Sequence, residues 1–155
     1  MVMDILENQA LLNGKDIWKE YHAFLREEKE GEQKNLEALL TPAKMKPHVA
    51  VAFREEDGEK YSDRLDMKSE PRDIRLQFAI MADTKVQFLE RYRRFVRALK
   101  TGNNGWLTWQ FPPLGLEMRM FLMEFPAFDA ITNLWVEEAH CGAFKAIFRE
   151  PKPSF

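Results

Sequence analysis

The chain has 155 residues, 45% of them hydrophobic and 31% charged, with a formal net charge of -2. That size fits one domain with a real core, and the composition is that of a soluble globular protein. The balance of charge argues against a general nucleic-acid binder, and there is no run of roughly 18 apolar residues to cross a membrane. The single cysteine, Cys141, excludes an intrachain disulfide and suits a reducing cytoplasm.

Residues 1–7 carry no basic region ahead of an apolar stretch, so no secretory signal is expected. Residues 10–12 are apolar and end at Asn13-Gly14, a pair that tolerates positive φ and marks a hairpin, with Lys15 opening the return strand. Residues 18–21 suit a single helical turn and residues 23–25 a short strand. Residues 26–35 are densely charged, and the stretch from 26 to 46 is expected to be a mobile charged loop. Two readings of it stay open: a solvated connection, or an arm that orders on a neighbouring subunit. Within it, residues 36–40 suit a short helix stopped by Pro42. After Pro47, Val49, Val51 and Phe53 alternate with Ala50 and Ala52, which predicts a strand over 48–53, with Asp57-Gly58 as its turn. Residues 59–73 are polar, with Tyr61 and Leu65 as candidate anchors.

From Ile74 the pattern sharpens. Ile74, Leu76, Phe78 and Ile80 alternate with Arg75, Gln77, Ala79 and Met81, the period of a strand with one buried face. The period then becomes helical. Asp83 or Thr84 can cap the N-terminus, and Phe88, Leu89, Tyr92, Phe95, Val96 and Leu99 share one face. Lys100 complements the helix dipole, and Gly102 can take the left-handed C-terminal position. Residues 84–100 would span roughly 25 Å, enough to cover one face of a sheet. Residues 103–105 turn back into a strand at 106–111, stopped by Pro112-Pro113. A further strand is expected at 116–125, ended by Pro126, then a connection over 127–137 and a last strand at about 139–149 with Phe144, Ala146 and Phe148 inward. About seven strands and one long helix predict an α+β fold, a mainly antiparallel β-sandwich or barrel with the helix packed against it.

No catalytic set emerges. His22, His48 and His140 stand apart, and no HxH, HExxH or CxxC spacing occurs. His140 and Cys141 are neighbours on a strand and point to opposite faces, so they do not form a nucleophile pair. The acidic groups at 27–28 and 55–57 sit in polar turns, where solvation is the expected role. No glycine pattern opens a helix toward phosphate. The chain is therefore expected not to be an enzyme and to need no cofactor or metal.

Two surfaces remain as candidates. Trp106, Trp109, Phe111, Phe121, Met123 and Phe125 place large side chains on both faces of two adjacent strands, whereas a monomer should leave one face wet. Aromatics and Met are enriched at interfaces, so these six are a possible subunit interface. Arg91, Arg93, Arg94 and Arg97 form a basic helix face, which is either solvated or turned to an acidic partner subunit. A different class of function, a small nucleic-acid-binding domain, would use Arg91, Arg94 and Trp109.

The order of these elements is similar to that of phage distal-tail proteins. An Arg-rich alternating strand, residues 72–80, leads through Met81-Ala82-Asp83 into a helix containing Phe88-Leu89-Glu90-Arg91-Tyr92-Arg93-Arg94-Phe95, then Gly102, a turn and a strand. Leu12-Asn13-Gly14-Lys15-Asp16-Ile17 looks like that family's opening hairpin, and residues 144–151 look like its closing strand. Where the family often has a Gly-Arg-Asp-Gly-like turn, this chain reads Phe53-Arg54-Glu55-Glu56-Asp57-Gly58. The sequence also has no room for the carbohydrate-binding-like extension of many such proteins, so host adhesion through it is not implied. The resemblance implies a prophage-encoded subunit sharing its fold with tail-tube proteins. It implies a hexameric ring joining the tail tube to the tip or baseplate, contacts with other tail proteins, and DNA only as cargo through the channel. The location would be the virion tail, and the host cytoplasm during assembly. A tail-tube or tail-terminator subunit of the same fold is the alternative.

Overall fold

The computed structural model describes residues 6–155. The absence of a signal read from residues 1–7 therefore falls mainly on residues outside the described ones. Asn13 and Gly14 adopt φ of 50° and 85°, turning β1 (Leu11–Leu12) into β2 (Lys15–Asp16). Asp16 then caps the one-and-a-half-turn helix α1 (Ile17–Tyr21), its carboxylate accepting from the backbone N–H of Trp18. His22 closes α1 in the left-handed conformation and leads into β3 (Ala23–Leu25).

The centre of the fold is β4 (Arg72–Ala82) paired along its whole length with β7 (His140–Glu150), from Arg72 opposite Glu150 to Ala82 opposite His140. The predicted alternation holds: Ile74, Leu76, Phe78 and Ile80 are buried, as are Phe144, Ala146 and Phe148. Helix α3 (Lys85–Thr101) follows β4, its N-terminus capped by the Thr84 hydroxyl accepting from Gln87 N–H. Phe88, Phe95 and Leu99 carry its buried face. Gly142 on β7 gives α3 its close approach, since a Cβ there would lie 2.6 Å from the Phe88 ring. Strand β5 (Leu107–Phe111) and a 3-10 turn at Pro112–Leu114 precede β6 (Leu116–Ala130).

The seven strands form one antiparallel sheet in the order β2-β1-β5-β6-β7-β4-β3. It curls into a half-barrel with the helices packed against it, which settles the sandwich-or-barrel choice within the α+β class. The curl brings β5 over β4. Phe78 stacks on Trp109 at 5.6 Å between ring centroids, while Phe95 of α3 meets it edge-on at 5.2 Å.

Two expectations are corrected. Pro126 does not end β6; the ladder with β7 shifts register between Leu122 and Glu124 and again before Ala127, so Pro126 sits at a bulge where no N–H is needed. Residues 48–53 form no strand; only Val51 bridges Lys60, and Val49, Val51 and Phe53 are exposed because no layer of this chain covers them. The short helix expected at 36–40 within the stretch 26–46 is present and begins two residues earlier. This helix, α2 (Lys34–Leu40), occupies the middle of the stretch, with Glu27 accepting from the N–H groups of Lys34 and Asn35 at its N-terminus. Leu39 and Asn35 are buried against the sheet. The long excursion lies later, over residues 42–71, where Lys46 N–H reaches Lys68 O and the Val51–Lys60 pair exchanges two hydrogen bonds. We refer to it as the arm.

Candidate functional site

The six aromatic and Met positions do not form one surface. Trp109 and Phe111 are fully buried and stack on each other at 5.8 Å, so they belong to the core and have no face to offer a subunit. The cause is the register of β5, in which Leu107, Trp109 and Phe111 point inward and alternate with Thr108 and Gln110, a period of two that the sequence itself carries. Trp106 is half-buried between the Phe121 ring, edge-on at 5.7 Å, and the Arg119 guanidinium at 4.0 Å. Phe125 packs on Phe144 beneath the Lys100 ammonium. Met123, at the bulge, is exposed.

The basic helix face also divides. Arg91 donates to Met81 O at 2.9 Å and ties α3 to the end of β4. Arg94 reaches Glu20 at 3.8 Å and lies over the Tyr21 ring, tying α3 to α1. Burial pushes the Tyr21 hydroxyl pKa up, with Arg94 opposing. Arg93 and Arg97 are exposed and have no hydrogen-bond or ion-pair partner for their guanidinium groups among the described residues. With Val86, Leu89 and Glu90 they line a shallow groove on the outside of α3.

The histidine and cysteine neighbours diverge, as strand geometry requires. His140 is buried; its Nε2 lies 2.8 Å from Val136 O and its Nδ1 2.7 Å from the Thr132 hydroxyl, so both ring nitrogens are engaged. Burial pushes the Cys141 thiol pKa up, away from nucleophilic thiolate. The most apolar recess, about 360 Å³, lies between Leu25, Leu36, Leu39, Phe111 and Leu114. Of its carboxylates, Glu27 is committed to the N-terminus of α2. Among the described residues no three metal-ligating side chains cluster, and no helix is long and apolar enough to cross a membrane.

The surface that sequence reasoning misplaced is the arm. Val49 is 89% exposed and Met67 63%, and Met45, Val51, Phe53, Tyr61 and Leu65 are exposed too. Exposed apolar side chains carried on so slight a hairpin are unusual for a surface that stays in water. The alternation at 49–53 was the available signal; it marks apolar side chains on one side of the segment, which this chain leaves exposed. In comparison with known proteins, no family model, no curated protein and no solved structure matches the chain.

Proposed function

We propose that this chain is a structural subunit of a phage tail that closes into a ring, six-membered in the distal-tail reading, where the tail tube meets the tip or baseplate. The observation that carries the proposal is the arm: apolar surface is displayed on a protrusion that no layer of this chain covers. A protrusion of this kind is built to be covered by another chain. The half-barrel with a long helix against it is compatible with the fold that the resemblance implies. The arm and the α3 groove are different surfaces of one chain, as the heterologous contact of a closed ring requires. In this reading other tail proteins stack on the ring, and DNA passes through it as cargo.

Sedimentation velocity with negative-stain imaging of the purified chain tests this. Rings of six with an open centre are expected. Stacked tubes would move the assignment to a tail-tube subunit, and a monomer that no tail protein recruits would overturn the proposal. The nucleic-acid reading loses its stacking residue, because Trp109 is in the core, and Arg91 and Arg94 are spent on internal contacts.

A further inference from the structure

The two end strands of the sheet are short and partly plugged, while residues 121–130 of β6 pair with β7 alone. On β4 the buried Asn35 side chain stands in for a strand: its Oδ1 accepts from Gln77 N–H at 2.7 Å and its Nδ2 donates to Gln77 O at 3.3 Å. On β3 the Gln9 side chain accepts from Leu25 N–H. The opposite edge is β2, two residues long, with the Asp16 carboxylate taken by the N–H groups of Asn8 and Trp18. Short and plugged edges resist strand addition.

Away from the sheet, the arm and the outside of α3 are complementary. The tip of the arm carries Glu55, Glu56, Asp57 and Glu59 against Arg54 and Lys60, two basic residues to four acidic ones, with Lys60 paired to Glu56 and lying over the Phe53 ring, beside exposed Val51. The α3 groove carries Arg93 and Arg97 without partners among the described residues, beside Val86, which is 72% exposed. Glu55 and Asp57 at the tip, like Arg93 and Arg97 in the groove, have no ion-pair partner among the described residues, so each surface sets apolar contact area beside free charge of opposite sign, the pattern that selects and orients a partner. We propose that the arm tip of one copy docks on the outer groove of α3 of the next copy. Val51 and Phe53 cover Val86 and Leu89, and the acidic tip meets Arg93 and Arg97. The proposal rests on the ring-forming reading and specifies its contact.

Charge reversal on the full-length chain tests it. One variant carries Glu55→Lys and Asp57→Lys; the other carries Arg93→Glu and Arg97→Glu. All four side chains are exposed, so native thermal unfolding is expected for both. In sedimentation velocity each variant alone should associate at least about tenfold more weakly than the unmodified chain, because like charges then face each other. An equimolar mixture should regain association, since each arm then finds a helix of opposite sign. Folded variants that assemble normally, or weakened variants that the mixture fails to rescue, would overturn the contact while leaving the ring reading standing. Rescue with imaging that shows two-fold dimers or open fibres would keep the contact and overturn the ring. An unmodified chain that stays monomeric at every concentration and that no tail protein recruits would overturn both.

Discussion

At the scale of single residues, the side chains that look reactive are occupied. His22 is held below its ordinary pKa of 6.5 by burial and then by Arg91, with Asp83 opposing. A histidine depressed in the folded state binds fewer protons folded than unfolded, so its contribution to stability is present above about pH 6.5 and falls away as the pH drops toward the folded value. Asp73 is held below the ordinary carboxylate value by its hydrogen bond from Arg149. Its contribution is present above the unfolded carboxylate value of about 3.9 and is lost below it. The urea midpoint is therefore expected to fall in two steps on acidification, one starting below about pH 6.5 and one below about pH 3.9. His22→Asn keeps the left-handed backbone at φ 52° and should remove the upper step alone. A single low-pH transition in the unmodified chain would contradict this.

At the scale of elements, the β4–β7 pair is held differently at its surface and in its interior. Arg72 and Glu150 are buried at the end of the ladder with Nε to Oε1 at 2.6 Å, and the Arg72 guanidinium also donates to the carbonyls of Leu39 and Thr41. That guanidinium joins both central strands to the end of α2 and the root of the arm. Glu150→Gln leaves its charge buried without a counter-charge and is expected to cost about 3–5 kcal/mol in urea unfolding. Asp73→Asn breaks the exposed Arg149 pair one register step away and should cost under about 1 kcal/mol. Equal costs would show that burial does not set the strength of these pairs. Gly142→Ala drives a methyl into the rings of Phe88 and Phe128, and should cost about 1–3 kcal/mol with α3 displaced.

At the scale of the molecule, the arm and the half-barrel are energetically separate. No hydrophobic residue between 42 and 71 is buried, whereas the core draws on every strand of the half-barrel other than β2. Replacing residues 46–68 by an Asn-Gly turn closes the arm near its Met45–Ser69 bridge. Stability should change by less than about 1 kcal/mol, and self-association should be lost. Unfolding of the shortened chain would mean that the arm supports the fold. Retained association would place the contact elsewhere.

The strand at Ile74–Ile80, the helix after it and the closing strand were legible in the sequence because their periods of two and 3.6 each bury one face in a core made by the same chain. The same rule mislocated the surfaces. Val49, Val51 and Phe53 alternate just as a buried strand does, yet no layer of this chain covers them, and local pattern does not say whether a covering layer exists. Trp106 and Trp109 are three positions apart, so the period of two already sends them to opposite faces, and the curl of the sheet onto Phe78 decided which face is the core. Asn35 read as part of a charged loop, and its role as a plug on β4 depends on Gln77, 42 positions away. Local periodicity thus determined the central elements and the α+β class. Which apolar and charged groups face outward was decided by contacts between residues far apart in the chain, which no local pattern encodes.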